Sequence, residues 1–190
     1  MAKQPSLGTV DERELAMKIR AGDKAAMGVL YRKYIGHLSS VCHRYLSDVD
    51  DVSDVLHDGF LKIFTQMDKY HYAGEGSMRA WATRIVVNRA LNFLRERNRL
   101  NMMVSGGMQG KEIADDEPDV EIVSPDELHL LIRQLPDGYR TVLNLYAFED
   151  YSHREIAQML GIKEATSASQ LHHAKALLAR KIKELRKKKI

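Results

Sequence analysis

Five polar residues of one segment, Arg84, Asn88, Asn92, Arg95 and Arg99, recur at steps of four, four, three and four. On an α-helix that spacing makes one continuous stripe. Its guanidinium and amide groups suit phosphate tracking and contact with exposed base edges. A solvated amphipathic face carries the same pattern. The preceding segment favours nucleic acid, because Gly74 and Gly76 permit unusual backbone angles and Tyr70, His71, Tyr72 and Trp81 supply rings for stacking on unpaired bases.

A second constellation occupies the last third, in the run Ser152-His-Arg-Glu-Ile-Ala-Gln-Met-Leu-Gly161-Ile162. Ser152 with Glu155 fits a capping box, Ala157 is small enough for a close helix crossing, and Gly161 ends the helix in a tight turn. A further helix over about Lys163–Lys188 completes a helix-turn-helix. The second helix of such a unit presents its first turns to the major groove, which here means Thr166, Ser169, His172 and His173, with Lys175 near phosphate. A plain three-helix packing unit with a polar surface is the competing reading. The basic run Lys181–Lys189 beside it tips the balance to DNA, although such a run alone is often just solvated.

Enzyme chemistry finds no support. The chain has no Walker-type glycine loop and no His-Glu-X-X-His, and Ser105-Gly106-Gly107 follows no strand. Adjacent His172 and His173 cannot both face one metal from a helix. The single cysteine, Cys42, lies in an apolar helical stretch that suits a buried structural thiol. No catalytic residue, metal or cofactor is expected.

The elements that position these groups read as helices throughout, so the expected fold class is all-α, with two small helical domains joined by a flexible acidic linker. The 190 residues, 44% hydrophobic and 29% charged, are enough to bury a core. A net charge of +3 hides an uneven distribution. Residues 1–100 carry +4, residues 101–127 carry −7 and residues 128–190 carry +6. The middle block, with its glycines and the run Asp115-Asp-Glu-Pro-Asp119, reads as the linker. The domains are therefore placed at 1–100 and 128–190. In the first, a helix from about Val10 stops at Gly22, and Asp23 caps a second that runs through Leu30, Tyr34, Leu38 and Tyr45. A third begins near Asp50, with Val52, Leu56, Phe60 and Ile63 on one side and an acidic stripe, Asp51, Asp54 and Asp58, on another. A fourth spans about Met78–Arg99 and turns Val86, Ala90, Phe93 and Leu94 inward. In the last, Leu128–Leu135 ends at Pro136, and Tyr139–Phe148 turns Val142, Leu143 and Tyr146 inward. No apolar run approaches the ~20 residues of a membrane span, so no membrane insertion and a cytoplasmic location are expected.

Taken in order, these motifs resemble the extracytoplasmic-function group of bacterial sigma factors over nearly the whole chain. Gly22-Asp23 through Leu30-Tyr31 and Tyr34 looks like the family's opening segment. The segment from Asp51 to Phe64 is similar to the helix that docks on the clamp helices of the polymerase's largest subunit. The resemblance makes Asp51, Asp54, His57, Asp58 and Lys62 docking residues. Gly74 to Trp81 with Arg84 to Arg95 looks like the segment that melts and reads the minus ten element, which assigns Tyr72, Gly74, Glu75, Gly76, Ser77, Trp81, Arg84, Asn88, Asn92 and Arg95 to that DNA. The last third looks like the minus thirty-five reader and brings Arg154 to the helix-turn-helix residues already named. Core RNA polymerase, promoter DNA and an anti-sigma protein are the implied partners. Ser53 and His57 depart from the acidic residue and glutamine usual in the docking helix, Gly59 interrupts it, and Ala168 stands where a basic contact is usual.

Two other functional classes compete with this one. A duplex-binding regulator with a sensing N-terminal domain shares the helix-turn-helix, but leaves Asp54, Asp58 and the Asn88 stripe unexplained. A small helical enzyme requires convergent titratable groups that the sequence does not offer.

Overall fold

The computed structural model describes residues 11–102, 118 and 123–187, and the side chains of 98–102 lie outside that description. Most of the expected 101–127 linker is therefore not described. Among the described residues the regular elements are eight α-helices and one short 3-10 turn. They are α1 (Glu12–Arg20), α2 (Lys24–Tyr45), α3 (Val49–Thr65), the turn Met67–Lys69, α4 (Ser77–Met102), α5 (Pro125–Arg133), α6 (Asp137–Ala147), α7 (His153–Leu160) and α8 (Glu164–Lys187). No described helix is long and apolar enough to cross a membrane.

The chain divides into two compact units, Met1–Cys42 with Asp50–Arg89, and His43–Val49 with Ala90–Ile190. This division passes through α2 and α4.

In unit 1 the helix starts follow from local chemistry. The Asp11 carboxylate accepts the Arg13 amide at 2.8 Å to cap α1, and Asp23 accepts the amides of Ala25 and Ala26 at 2.8 and 3.2 Å to cap α2. Leu15 and Ile19 of α1, Leu30, Tyr34 and Leu38 of α2, Val55 and Ile63 of α3, and Met78, Ala82 and Val86 of α4 form its core. Cys42 is fully buried, and burial pushes its thiol up to about 12, as befits an inert structural thiol.

Gly59 has a packing reason. A Cβ there would meet Val86 Cγ2 of α4 at 2.9 Å, so the missing side chain lets α3 and α4 cross closely.

In unit 2, α5 and α7 carry complete capping boxes, Ser124 with Glu127 and Ser152 with Glu155, and Pro125 stands at the first helical position. Arg140 is buried, and its guanidinium donates to the Arg133 carbonyl at 2.7 Å and the Asp137 carboxylate at 2.6 Å, holding the end of α5 to the start of α6. Tyr146, expected inward, is instead exposed and stacks on His153 with ring centroids 4.9 Å apart. Val142 and Leu143 face inward as expected, and Leu145 takes the third inward place instead of Tyr146.

Gly59→Ala is expected to lower stability, because crowding against the stiff Val86 side chain costs ~1–3 kcal/mol while alanine's helix preference returns ~1 kcal/mol. In a Val86→Ala background the same change should stabilise. Urea titration of the four proteins decides it, and a stabilisation of equal size in both backgrounds would mean that the helices do not approach this closely.

Candidate nucleic-acid interface

The stripe on α4 divides by exposure. Arg84, Asn88 and Arg95 are exposed, Asn92 is half-buried and accepts a hydrogen bond from Arg95, and the Arg99 side chain lies outside the described residues. Ahead of it, Tyr72, Glu75 and Gly76 are exposed, while Gly74, Ser77 and Trp81 are half-buried. Tyr70 is not a free stacking ring, being buried against Trp81 with centroids 5.4 Å apart. His71 and Tyr72 are the rings left at the surface.

The loop is held by a knot of polar contacts. Ser77 Oγ donates to the Gly74 carbonyl at 2.7 Å, accepts the Ala73 amide at 3.2 Å and lies 2.7 Å from the Tyr70 hydroxyl. Either hydroxyl can donate in that last bond, and the Tyr70 hydroxyl also lies 3.5 Å from the Glu12 carboxylate. Gly76 precedes α4 at φ +86°, a conformation that suits glycine, and so offers no capping side chain. Glu12 supplies the cap from α1. Its carboxylate accepts the Gly76 amide at 3.2 Å, the Met78 amide at 3.0 Å and the Tyr34 hydroxyl at 2.8 Å. Burial pushes the phenols of Tyr34 and Tyr70 upward, and the bond to Glu12 adds to the shift at Tyr34, so both stay hydroxyl donors at neutral pH.

At the other end of α1, Arg20 donates to the Met67 carbonyl at 3.0 Å and to the Tyr70 carbonyl. Between these residues, the Arg13 guanidinium lies 5.8 Å from the centroid of the Tyr72 ring. Neither Glu12 nor Arg20 stood out in the sequence. Their partners lie 47 to 66 residues away, apart from Tyr34, so no local pattern announces them.

On α3, Asp54, His57 and Lys62 are exposed, and Asp51 is half-buried. Asp58 is half-buried as well and is bound by Arg89 of α4, through Nε at 2.8 Å and Nη2 at 2.7 Å. Its carboxylate thus braces the α3–α4 crossing. Beside the acidic stripe lies an apolar groove of about 300 Å³ between α2 and α3, lined by Tyr31, Ile35, Ser53, Leu56, His57, Phe60, Leu61 and Phe64. Tyr31 packs on Phe60 with centroids 4.6 Å apart, and Tyr31 and Leu61 are large apolar side chains left exposed. Ser53 and His57 both border the groove.

In the helix-turn-helix, Gly161 adopts the left-handed conformation at φ +68°, and its amide and that of Ile162 both turn back to the Ala157 carbonyl. Ser167 Oγ is fully buried and 3.0 Å from His153 Nδ1, which ties the first turn of α8 to the start of α7. Arg154, Thr166, Ser169 and His172 are exposed. His173 and Lys175 are half-buried rather than outward. The His173 ring stacks on Tyr139 of α6 at 5.6 Å, which draws it away from the free face of α8. Ala165 and Ala168 complete that face, so its first two turns present methyl and hydroxyl groups beside Glu164 and hold no cation, Lys163 standing just ahead of the helix.

Two family models match the chain, and the first of them runs across the division between the units. The Sigma-70 region 2 family matches residues 30–100, and the Sigma-70, region 4 family matches residues 126–178. The chain is similar to the ECF RNA polymerase sigma-E factor of Haemophilus influenzae, 26% identical over 185 residues that cover 92% of this chain and 96% of the relative. It is similar as well to the RNA polymerase sigma-H factor of Pseudomonas aeruginosa, at 25% identity covering 92% and 95%, and to SigW of Bacillus subtilis, at 25% covering 88% and 95%. Among solved structures, CnrH in complex with the cytosolic domain of CnrY aligns over 91% of this chain and 97% of that one, with a TM-score of 0.49 and 22% identity.

The turn at Gly161 makes one demand that a melting experiment reads. Gly161→Ala should destabilise the protein by about 1 kcal/mol, the usual cost of a side chain in the left-handed region. An unchanged melting temperature would mean that the turn is not left-handed.

Proposed function

This chain belongs to the extracytoplasmic-function group of RNA polymerase sigma factors, and we propose that residues 1–100 dock on core polymerase and open the minus ten element while residues 128–190 read the minus thirty-five duplex. As a sigma factor the protein is not an enzyme: it binds core RNA polymerase and directs promoter recognition and transcription initiation. The two region matches, in this order on one chain, are the observation that carries the reading.

Docking falls to the outer face of α3, with Asp51, Asp54, His57 and Lys62, and to the apolar groove beside it. A groove edged by carboxylates suits a partner helix with an apolar stripe and basic flanks. Asp58 contributes by holding α3 against α4 through Arg89. Base capture falls to the loop Tyr72–Ser77, Trp81 and Asn88. An unpaired base needs a stacking ring and groups for its hydrogen-bonding edge, and Tyr72 and Asn88 supply both kinds at the surface. Arg84, Asn92 and Arg95 track the strand along α4. Duplex reading falls to Arg154, Thr166, Ser169 and His172, with His173 and Lys175 at its edge. The segment 101–127 links the two readers. An anti-sigma protein joins the partners on family membership alone, and the place of action is the cytoplasm, where the polymerase works.

A duplex-binding regulator would carry the helix-turn-helix without the region 2 match, so this reading has lost its support.

Core polymerase reconstituted with this protein should yield transcripts from discrete genomic start sites that share two upstream elements. Absence of promoter-specific transcript would defeat the proposal. Asn88→Ala should lower open-complex formation by about tenfold, the worth of a lost base contact, with affinity for core unchanged. Loss of core affinity instead would make Asn88 a residue of the fold.

A further inference from the structure

We propose that Glu12 and Arg20, at the two ends of α1, are positioning residues for promoter opening, fixing the loop 70–77 in the shape that receives a base. The inference rests on the reading above, in which that loop captures a base of the minus ten strand.

The loop has little regular structure to hold it. Between the 3-10 turn and α4 its backbone hydrogen bonds are those that close the turns at Tyr70 and Ser77 and the bond from the Ala80 amide to the Gly76 carbonyl that starts α4. Its shape therefore depends on side chains, and the two that hold its ends come from one short helix. Arg20 fixes the entrance through the Met67 and Tyr70 carbonyls, and Glu12 fixes the exit through the Gly76 and Met78 amides. Arg13, between them, lies against the ring of Tyr72, the exposed aromatic of the loop.

A buried carboxylate is a costly way to fill a core, and Glu12 is only 5% exposed. Packing alone is satisfied better by an apolar residue. The carboxylate does what an apolar residue cannot, because it accepts two amides at the start of α4, where Gly76 lacks a side chain to do so. A loop held in its binding shape loses little freedom when a base enters, whereas a loose one loses that freedom at each encounter. Base selectivity suffers first, because it depends on the pocket's shape more than on its charge. None of these contacts reaches the apolar groove between α2 and α3, so docking on polymerase is separable from them.

The test uses holoenzymes made with the wild-type chain, Glu12→Gln, Arg20→Met and Asn88→Ala. Glu12→Gln keeps the volume but turns an acceptor oxygen into a donor facing donors. Arg20→Met removes the two carbonyl contacts from a residue outside the core, and so keeps the test open if the glutamine variant does not fold. Each holoenzyme is titrated with the single-stranded non-template oligonucleotide of a promoter it transcribes, and with single-base substitutions of its minus ten element. Both α1 variants should bind core within about twofold of wild type yet lose about tenfold in discrimination at one or two bases, the order expected for a lost charge-assisted hydrogen bond. Intact discrimination in both variants, or a fall that merely follows lost core affinity, overturns the inference. Discrimination lost in Asn88→Ala but kept in both α1 variants overturns it while sparing the loop's role in base capture. A wild-type holoenzyme without base discrimination overturns that role and this inference with it.

Discussion

Where α4 begins is fixed by a carboxylate that belongs to another helix. A helix N-terminus leaves amide donors without partners, and Gly76, required by a positive φ, has no side chain to answer them. Glu12 answers two of them from α1. Once the origin of α4 is set, its rotation follows from period: Met78, Ala82 and Val86 turn into the core, and Arg84, Asn88 and Arg95 turn out. Val86 then meets Gly59, and that close crossing sets α3, whose far side borders the groove with α2. The exposed stripe and the α3–α4 crossing thus share one point of registration, while the apolar groove on the far side of α3 is lined by none of the residues that Glu12 binds.

The contrast with α5 and α7 explains what the sequence makes legible. Their caps are local, a serine and a glutamate three residues apart, and the one at Ser152 makes the helix-turn-helix readable as a string of residues, with its turn glycine and small crossing residue in order, whereas the box at Ser124 starts α5 three residues before the expected Leu128. The start of α2 is readable for the same reason, from Asp23. Glu12 presents only as an acidic residue in a first turn, which helix dipoles favour everywhere. Nothing within ten residues reveals that it is buried. Period also misplaces residues at the margins of a stripe. His173 lies on the edge of the polar face of α8 and is claimed by Tyr139, and Tyr146 lies on the edge of the apolar face of α6 and is claimed by His153. Ring stacking, invisible to period, decides both.

Asp58 shows the same limit for charge. Its spacing with Asp51 and Asp54 suggests a single acidic surface, but the helix beneath presents Arg89 at the place where the third carboxylate falls. A buried-side partner converts a surface charge into a brace between helices. The bond is about half exposed, so its worth lies in geometry more than in energy.

The free face of α8 bears on how the two readers divide the work. Its first two turns offer methyl and hydroxyl groups, and the fixed charge of the helix gathers at its far end in Lys181, Lys183, Arg186 and Lys187. Cations there also complement the helix dipole, so part of their presence needs no DNA. Phosphate contacts supply most of the affinity of duplex readers, and a recognition face with few cations at its leading end binds duplex weakly by itself. A weak duplex reader suits a factor that should not hold promoters without polymerase. In the proposed reading, 101–127 joins it to a second contact, and affinity then rises by a factor of ~100 or more when both are engaged. In the reading proposed above, selectivity then rests on the contact made only after the strands part, and for that contact the loop ahead of α4 must hold its shape.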